Sequence, residues 1–216
     1  MGNRAAVWAA DVRAIWIDRG NDAPYHALTK HQITDPYYDV RDPRLNLNYL
    51  NGVVGRGFRP GLYACSQGDG WPNPTTMSGP AWADWVYEKV QVVIAPGTMG
   101  SYPRVCLNIE SHDVENWVLP ALKRWRKKSP RRETYWALEG RQGGLFKPEH
   151  VTAINALGIG VCVEFFRGDM TPHGPGVIDE MLKLGFAPER LWAFWDAAAL
   201  SWSWQGMAFT AGRLPA

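Results

Sequence analysis

A chain of 216 residues, 46% of them hydrophobic, is long enough to bury one sizeable core and too apolar to be disordered. Its formal net charge of +2, with Lys and Arg interspersed among Asp and Glu outside one basic cluster, excludes the electrostatic footprint of a nucleic-acid-binding or membrane-surface protein. No apolar run approaches the roughly 20 residues needed to cross a bilayer, and the amino terminus carries no signal-peptide core.

The expectation is a single domain over residues 1–216, made in a cytoplasm without a signal peptide. Met1-Gly2 invites a myristoylation reading, but Ala6 stands where that motif needs Ser or Thr. Cys65, Cys106 and Cys162 are odd in number and each lies inside an apolar run, so they read as buried thiols.

Ala6 to Asp11 is a weak apolar run, and Ala14–Asp18 is the first secure strand, ending in an acid. Gly20 to Arg44 is rich in Asp, Pro, His and Tyr with no sustained period, which predicts a long loop with one short helical turn. Asp42-Pro43 followed by Leu45, Leu47, Leu50, Val53 and Val54 predicts a helix closing near Gly55. Phe58–Ser66 is the second strand, and Gln67–Gly79, punctuated by Gly, Pro72 and Pro74, is a loop. Trp82, Trp85, Val86, Val90 and Val93 fall at three-to-four spacing, a helix stopped by Pro96-Gly97.

Arg104–Glu110 is the strand the rest is organised around: Val105, Leu107 and Ile109 alternate with their neighbours, and the run breaks into Glu110-Ser111-His112-Asp113. Asp113 is the expected N-cap of a helix whose inner face is Val114, Trp117, Val118, Ala121, Leu122 and Trp125. Lys123, Arg124, Arg126, Lys127, Lys128, Arg131 and Arg132 cluster on its outer face and end, where dipole partnership is favoured over a grip on phosphates. Glu133–Glu139 is the next strand. Pro148 and Glu149 open a helix stopped by Gly158, Ile159–Phe166 is a fifth strand carrying Glu164, Val177 to Leu182 is a helix stopped at Gly185, and Leu191–Asp196 is the sixth strand.

Strands alternating with helices, the strands nearly continuous in apolar residues, call for a parallel sheet covered on both faces. The turn after the first strand holds no G-x-G-x-x-G, which sets a dinucleotide fold aside. The fold class expected is α/β, a TIM-like (β/α) barrel, short or irregular, because a barrel explains why acids recur at strand ends that converge on one mouth. Six strands are secure; Trp8 to Asp11 and the Phe209 region are candidates for the others.

In such a barrel Asp18, Glu110, Glu139, Glu164 and Asp196 face one cleft, and paired carboxylates are what glycoside hydrolysis requires. Glu110 is the candidate proton donor and Asp18, Asp196 or Glu164 the second carboxylate. Asn108, Glu139, Tyr63 and the indole of Trp71 are candidate substrate-binding residues. The competing reading pairs the acids with Arg19, Arg141 or Arg167 on the rim. Among the twelve Trp, Trp71, Trp202 and Trp204 sit in loop-like contexts, where exposed indoles stack on sugars or on a protein partner. No cofactor is expected and no metal site is assigned, although His26 and His31 share the first long loop with Asp22, Asp35 and Asp39. His112 follows Ser111 directly, so the two point to opposite sides of an extended chain and make no nucleophile and base pair.

Leu107-Asn108-Ile109-Glu110 resembles the D-x-E strand end of the GH25-type lysozymes, muramidases with a β/α barrel, and Phe58-Arg59-Pro60-Gly61-Leu62-Tyr63-Ala64 resembles a strand those enzymes carry upstream. The resemblance implies that Glu110 holds the catalytic acid position, with Asn108 where the family has an aspartate. An amide hydrogen-bonds a substrate but cannot act as a charged nucleophile or stabiliser. It also implies Asp11 or Asp18 for the family's first-strand aspartate and Asp196 for its last. The compact, Trp-rich barrel further resembles the small glycosidase-like proteins of bacteriophages that infect actinobacteria. That resemblance implies a virion-associated minor tail protein that binds or cleaves host cell-wall polysaccharide and contacts other tail proteins. The alternative is a catalytically inactive tail protein that uses the barrel and its Trp for protein contacts.

Overall fold

The protein is described by a computed structural model over residues 13–17, 25–30, 33–68, 70–94, 103–139, 145–164, 176–196 and 207–210. Eight strands close into a barrel in chain order: β1 (Arg13–Ile17), β2 (Asp35–Asp39), β3 (Gly61–Cys65), β4 (Arg104–Asn108), β5 (Thr134–Glu139), β6 (Gly160–Glu164), β7 (Leu191–Asp196) and β8 (Met207–Thr210). Between them run α1 (Tyr25–Lys30), α2 (Leu47–Val54), α3 (Gly79–Val93), α4 (Leu119–Lys128), α5 (Pro148–Leu157) and α6 (Gly176–Lys183). The Phe209 region supplies the eighth strand, while the Trp8–Asp11 candidate lies outside the described residues.

Two features depart from the expectation. β2 lies inside the stretch read as loop, because Asp-Pro-Tyr-Tyr-Asp has acids at both ends and a proline within. All five of its residues are nevertheless buried, the acids being held by arginines. β8 runs antiparallel to both β7 and β1. The connection from Asp196 to Met207 is shorter than the dozen or so residues a parallel crossover needs, so the chain turns back on itself instead.

The interior is filled by alternating large and small residues. Tyr37 is paired in register with Gly61, and Tyr135 with Gly160. A Cβ at Gly61 would lie 2.5 Å from the Tyr37 ring, and one at Gly160 2.6 Å from that of Tyr135, so each glycine is the space a tyrosine ring occupies. The amino end is closed by charge. Arg104 pairs with Asp35 and, at 2.8 Å, with Glu133, and Arg59 reaches Asp35 at 2.8 Å. Asp35 is fully buried; desolvation pushes its carboxyl above the usual range against the pull of the Thr34 hydroxyl and the two arginines.

The expected inner face of the helix after β4 is buried throughout, from Val114 to Trp125. Its first turn, Val114–Val118, is a π turn capped by Asp113, whose side chain accepts the Asn116 amide at 2.9 Å. Pro120 has no N–H to donate to the preceding turn, and the wider turn with the Leu119 amide on the Val114 carbonyl absorbs that break. Gly79 at the start of α3 allows this turn to come close: a Cβ there would sit 2.1 Å from the Trp117 carbonyl oxygen. The basic cluster is used by the protein itself. Arg124 and Lys128 pair with Asp84 at 2.7 and 3.0 Å, Arg126 donates to the carbonyls of Ser129, Pro130, Arg132 and Gly158, and the buried Arg132 donates to that of Pro103. Among the described residues no helix is long and apolar enough to cross a membrane.

Candidate functional site

Because β1 to β7 are parallel, their carboxyl ends share one rim, and Glu110 stands on it two residues beyond the end of β4. The ladder between β3 and β4 ends at Cys65 and Asn108. Past that rung the Ser66 amide still donates to the Asn108 carbonyl at 2.9 Å, while the Glu110 amide turns to the Ser66 hydroxyl oxygen at 3.0 Å. Gln67 Nε2 donates to the Glu110 carbonyl at 3.1 Å, and the Trp136 indole N–H reaches the Ile109 carbonyl at 3.4 Å.

The Glu110 carboxylate is half-buried and accepts a 2.8 Å hydrogen bond from Asn108 Nδ2. Asn108 itself is 3% exposed, with Nδ2 also 3.7 Å from Cys65 Sγ. Glu110 lines a cleft of about 360 Å³ together with Gln67, Asn73, Thr75, Ser111 and His112. Gln67, Asn73 and Thr75 bring amide and hydroxyl groups to a wall that also carries Pro74 and His112, a mixed surface suited to a ligand with both hydroxyls and apolar faces.

A second acid on the rim went unread in the sequence. Asp39 ends β2, is 1% exposed, and receives the Arg41 guanidinium on both carboxylate oxygens, at 2.7 to 3.2 Å. The register pairs Asp39 with Tyr63 and Cys65 with Asn108, so the three strand ends adjoin; between them burial pushes the Cys65 thiol up, against the pull of the Asn108 hydrogen bond. Asp39 alternates with Asp35 and Tyr37, but the abundance of Asp, Pro, His and Tyr around it, with no sustained period, reads as loop.

Trp71 corrects the expectation of an exposed indole. It is 9% exposed, its ring covered by Arg41 at 3.6 Å and packed against Tyr63 and Trp85 at centroid distances of 6.1 and 6.0 Å. Tyr63, at 2% exposure, lies beneath Trp71 rather than on the cleft wall. The loop after β3 thus packs its tryptophan inward, between Arg41, Tyr63 and Trp85.

Of the remaining candidates, Glu139, Glu164 and Asp196 are the last residues of β5, β6 and β7, at the same end as Glu110, and Glu139 is paired in register with Glu164. Their side chains, like the whole of Asp18, Asp11, Trp202, Trp204, Arg19, Arg141 and Arg167, lie outside the described residues. The candidate metal set is divided, since Asp35 and Asp39 occupy opposite ends of β2. Among the described residues no group of three or more His, Cys, Asp or Glu is placed to hold a metal.

No protein family and no curated protein sequence matches this chain. Among solved structures it is similar to catalytic-site mutants of active domain 2 of a thermostable chitinase from Pyrococcus furiosus complexed with chito-oligosaccharides, at 12% identity and a TM-score of 0.50, covering 78% of this chain and 62% of that one. Another structure of catalytic-site mutants of the same domain aligns at 13% identity, a TM-score of 0.49 and the same coverage. The chain thus spans 62% of the length of these domains, and the likeness is one of fold, a β/α barrel.

Proposed function

We propose that this barrel binds a polysaccharide strand across its carboxyl-end mouth and that Glu110 is the proton donor for cleavage of a glycosidic bond there. The observation that carries this reading is the contrast between the two rim acids whose side chains are described. Glu110 lines an open cleft, whereas Asp39 is enclosed and gripped by Arg41. The similar chitinase domain, crystallised with chito-oligosaccharides, supports a sugar as the ligand class.

In the proposed reaction the protonated Glu110 carboxyl gives its proton to the glycosidic oxygen as the bond from that oxygen to the anomeric carbon breaks. A water adds to the carbon and leaves its proton on a second carboxylate, for which Glu164, Asp196 and Asp18 are the candidates by their places at strand ends. Asn108 holds the Glu110 carboxyl in place, and Glu139 belongs to the same rim.

A second reading, a barrel that holds glycan without cutting it, is favoured by Asn108, an amide beside the acid that lines the cleft among the described residues. The setting we propose for either is a bacteriophage virion. There the protein is a minor tail component made in the host cytoplasm and meeting the cell-wall polysaccharide of an actinobacterial host. Detection of the protein by mass spectrometry in purified virions tests the setting. Release of reducing ends from purified peptidoglycan by wild type and by Glu110→Gln tests the chemistry. Turnover in wild type and none in Glu110→Gln supports cleavage. Equal, near-zero turnover with retained co-sedimentation on peptidoglycan supports holding, and loss of both ends the glycan reading.

A further inference from the structure

Glu110 lies outside the β4 ladder, yet both polar groups of its main chain are fixed by consecutive residues of the neighbouring strand end. Ser66, fully buried, accepts the Glu110 N–H on its hydroxyl at 3.0 Å, and Gln67 donates to the Glu110 carbonyl at 3.1 Å. In a regular parallel ladder the next carbonyl of β3 would take that N–H; here a side chain takes it, one atom group further out. The effect is to let β4 peel away from β3 at the rim without leaving its amide unsatisfied in a buried place.

From this arrangement we infer that Ser66 and Gln67 are positioning residues, which set the height and direction of the Glu110 carboxyl over the mouth. The inference rests on the proposed role of Glu110. The Ser66 hydroxyl is not needed to end β3: the Ser66 amide already closes the last rung on the Asn108 carbonyl at 2.9 Å, and the Trp82 indole satisfies the Cys65 carbonyl at 3.1 Å. What the hydroxyl adds is a fixed bond to the residue that carries the carboxyl. Asn108, held by the ladder, then meets that carboxyl from below at 2.8 Å, so main chain and side chain of Glu110 are located from two neighbouring strands.

The test compares Ser66→Ala, Ser66→Thr, Gln67→Ala and Glu110→Gln by two readouts, turnover of dyed actinobacterial peptidoglycan and the titration of the Glu110 carboxyl carbon followed by NMR. A displacement near 1 Å at a reacting group costs up to about a hundredfold, so Ser66→Ala is expected to lower kcat by about ten- to a hundredfold with little change in KM. It is also expected to move the carboxyl titration, and Ser66→Thr, which keeps the hydroxyl, to restore both. If Ser66→Ala does not fold, the exposed Gln67→Ala serves in its place, with a smaller loss in the same direction.

The proposal is overturned if Glu110→Gln abolishes turnover while Ser66→Ala and Gln67→Ala keep the wild-type kcat and titration. If wild type turns over no glycan, or Glu110→Gln is as active as wild type, the cleavage reading fails by itself and the titration decides. A Glu110 titration unmoved by Ser66→Ala then overturns the positioning role, and one moved and restored by Ser66→Thr sustains it.

Discussion

Gly61→Ala tests the barrel interior at a single atom. The new Cβ would stand 2.5, 2.6 and 2.8 Å from three carbons of the Tyr37 ring. Ordinary carbon–carbon contact lies at about 3.5–4.0 Å, so the ring has to retreat by about 1 Å. It has nowhere to go: Tyr37 is 2% exposed and sits inside a closed sheet. Overpacking of this kind costs about 1–3 kcal/mol. For a domain of this size, at about 2–4 °C per kcal/mol, Tm is expected to fall by about 2–12 °C. The decisive assay is a double-mutant cycle in urea with Tyr37→Ala, which removes all three ring carbons that clash. In that background Gly61→Ala should cost almost nothing, leaving a coupling of about 1–3 kcal/mol. An alanine that costs the same with and without the ring would refute the steric account of the small and large pairing.

Other consequences follow from charge and aromatic contacts. Arg104→Met leaves Asp35 buried with Arg59 as its described ion-pair partner, so a loss of about 3 kcal/mol is expected at neutral pH. Asp35 is raised in the folded state, so its contribution is most favourable below the unfolded carboxyl value and declines as pH rises; the Arg104→Met deficit should therefore shrink in mildly acidic urea titrations, and a pH-independent deficit would count against it. Asp84 is held low by the Arg124 hydrogen bond and by Lys128, which stabilises the fold above the ordinary aspartate value and is lost as pH falls through the depressed one. The pair is solvent-screened, so Asp84→Asn should cost less than about 1 kcal/mol by calorimetry at neutral pH and nothing in strong acid. Arg41→Ala should uncover Trp71, seen as increased acrylamide quenching, and Arg41→Lys should not restore protection because an ammonium cannot grip both Asp39 oxygens while covering an indole. Quenching unchanged in Arg41→Ala would mean that the guanidinium does not shield the ring.

The parallel strands were legible because their burial is continuous: Leu62, Val105, Leu107, Trp136 and Val161 announce themselves as apolar runs wherever they occur. The helix after β4 was legible because one face of it carries all its large apolar groups. β2 was not, because its burial depends on charges supplied from elsewhere: Arg59 and Arg104 neutralise Asp35 from positions 24 and 69 residues away. No local window contains that information. Trp71 failed for the same reason, since the group that covers it, Arg41, belongs to the end of another strand. The place of Glu110 at the rim was legible because the change from apolar to polar at a strand end is a local signal. Its anchors Ser66 and Gln67 were not, because a serine after a strand is ordinary until the neighbouring strand is laid beside it.

The direction of the last strand has a practical side. Arg13, which opens β1, lies beside Thr210, which ends β8. The polypeptide therefore enters and leaves the barrel at adjacent points on the face turned away from Glu110. A group attached at Arg13 or Thr210 itself would sit at the opposite end of the barrel from Glu110. A short linker from Thr210 directly to Arg13 would permit a circularly permuted chain to be opened elsewhere without passing over the cleft.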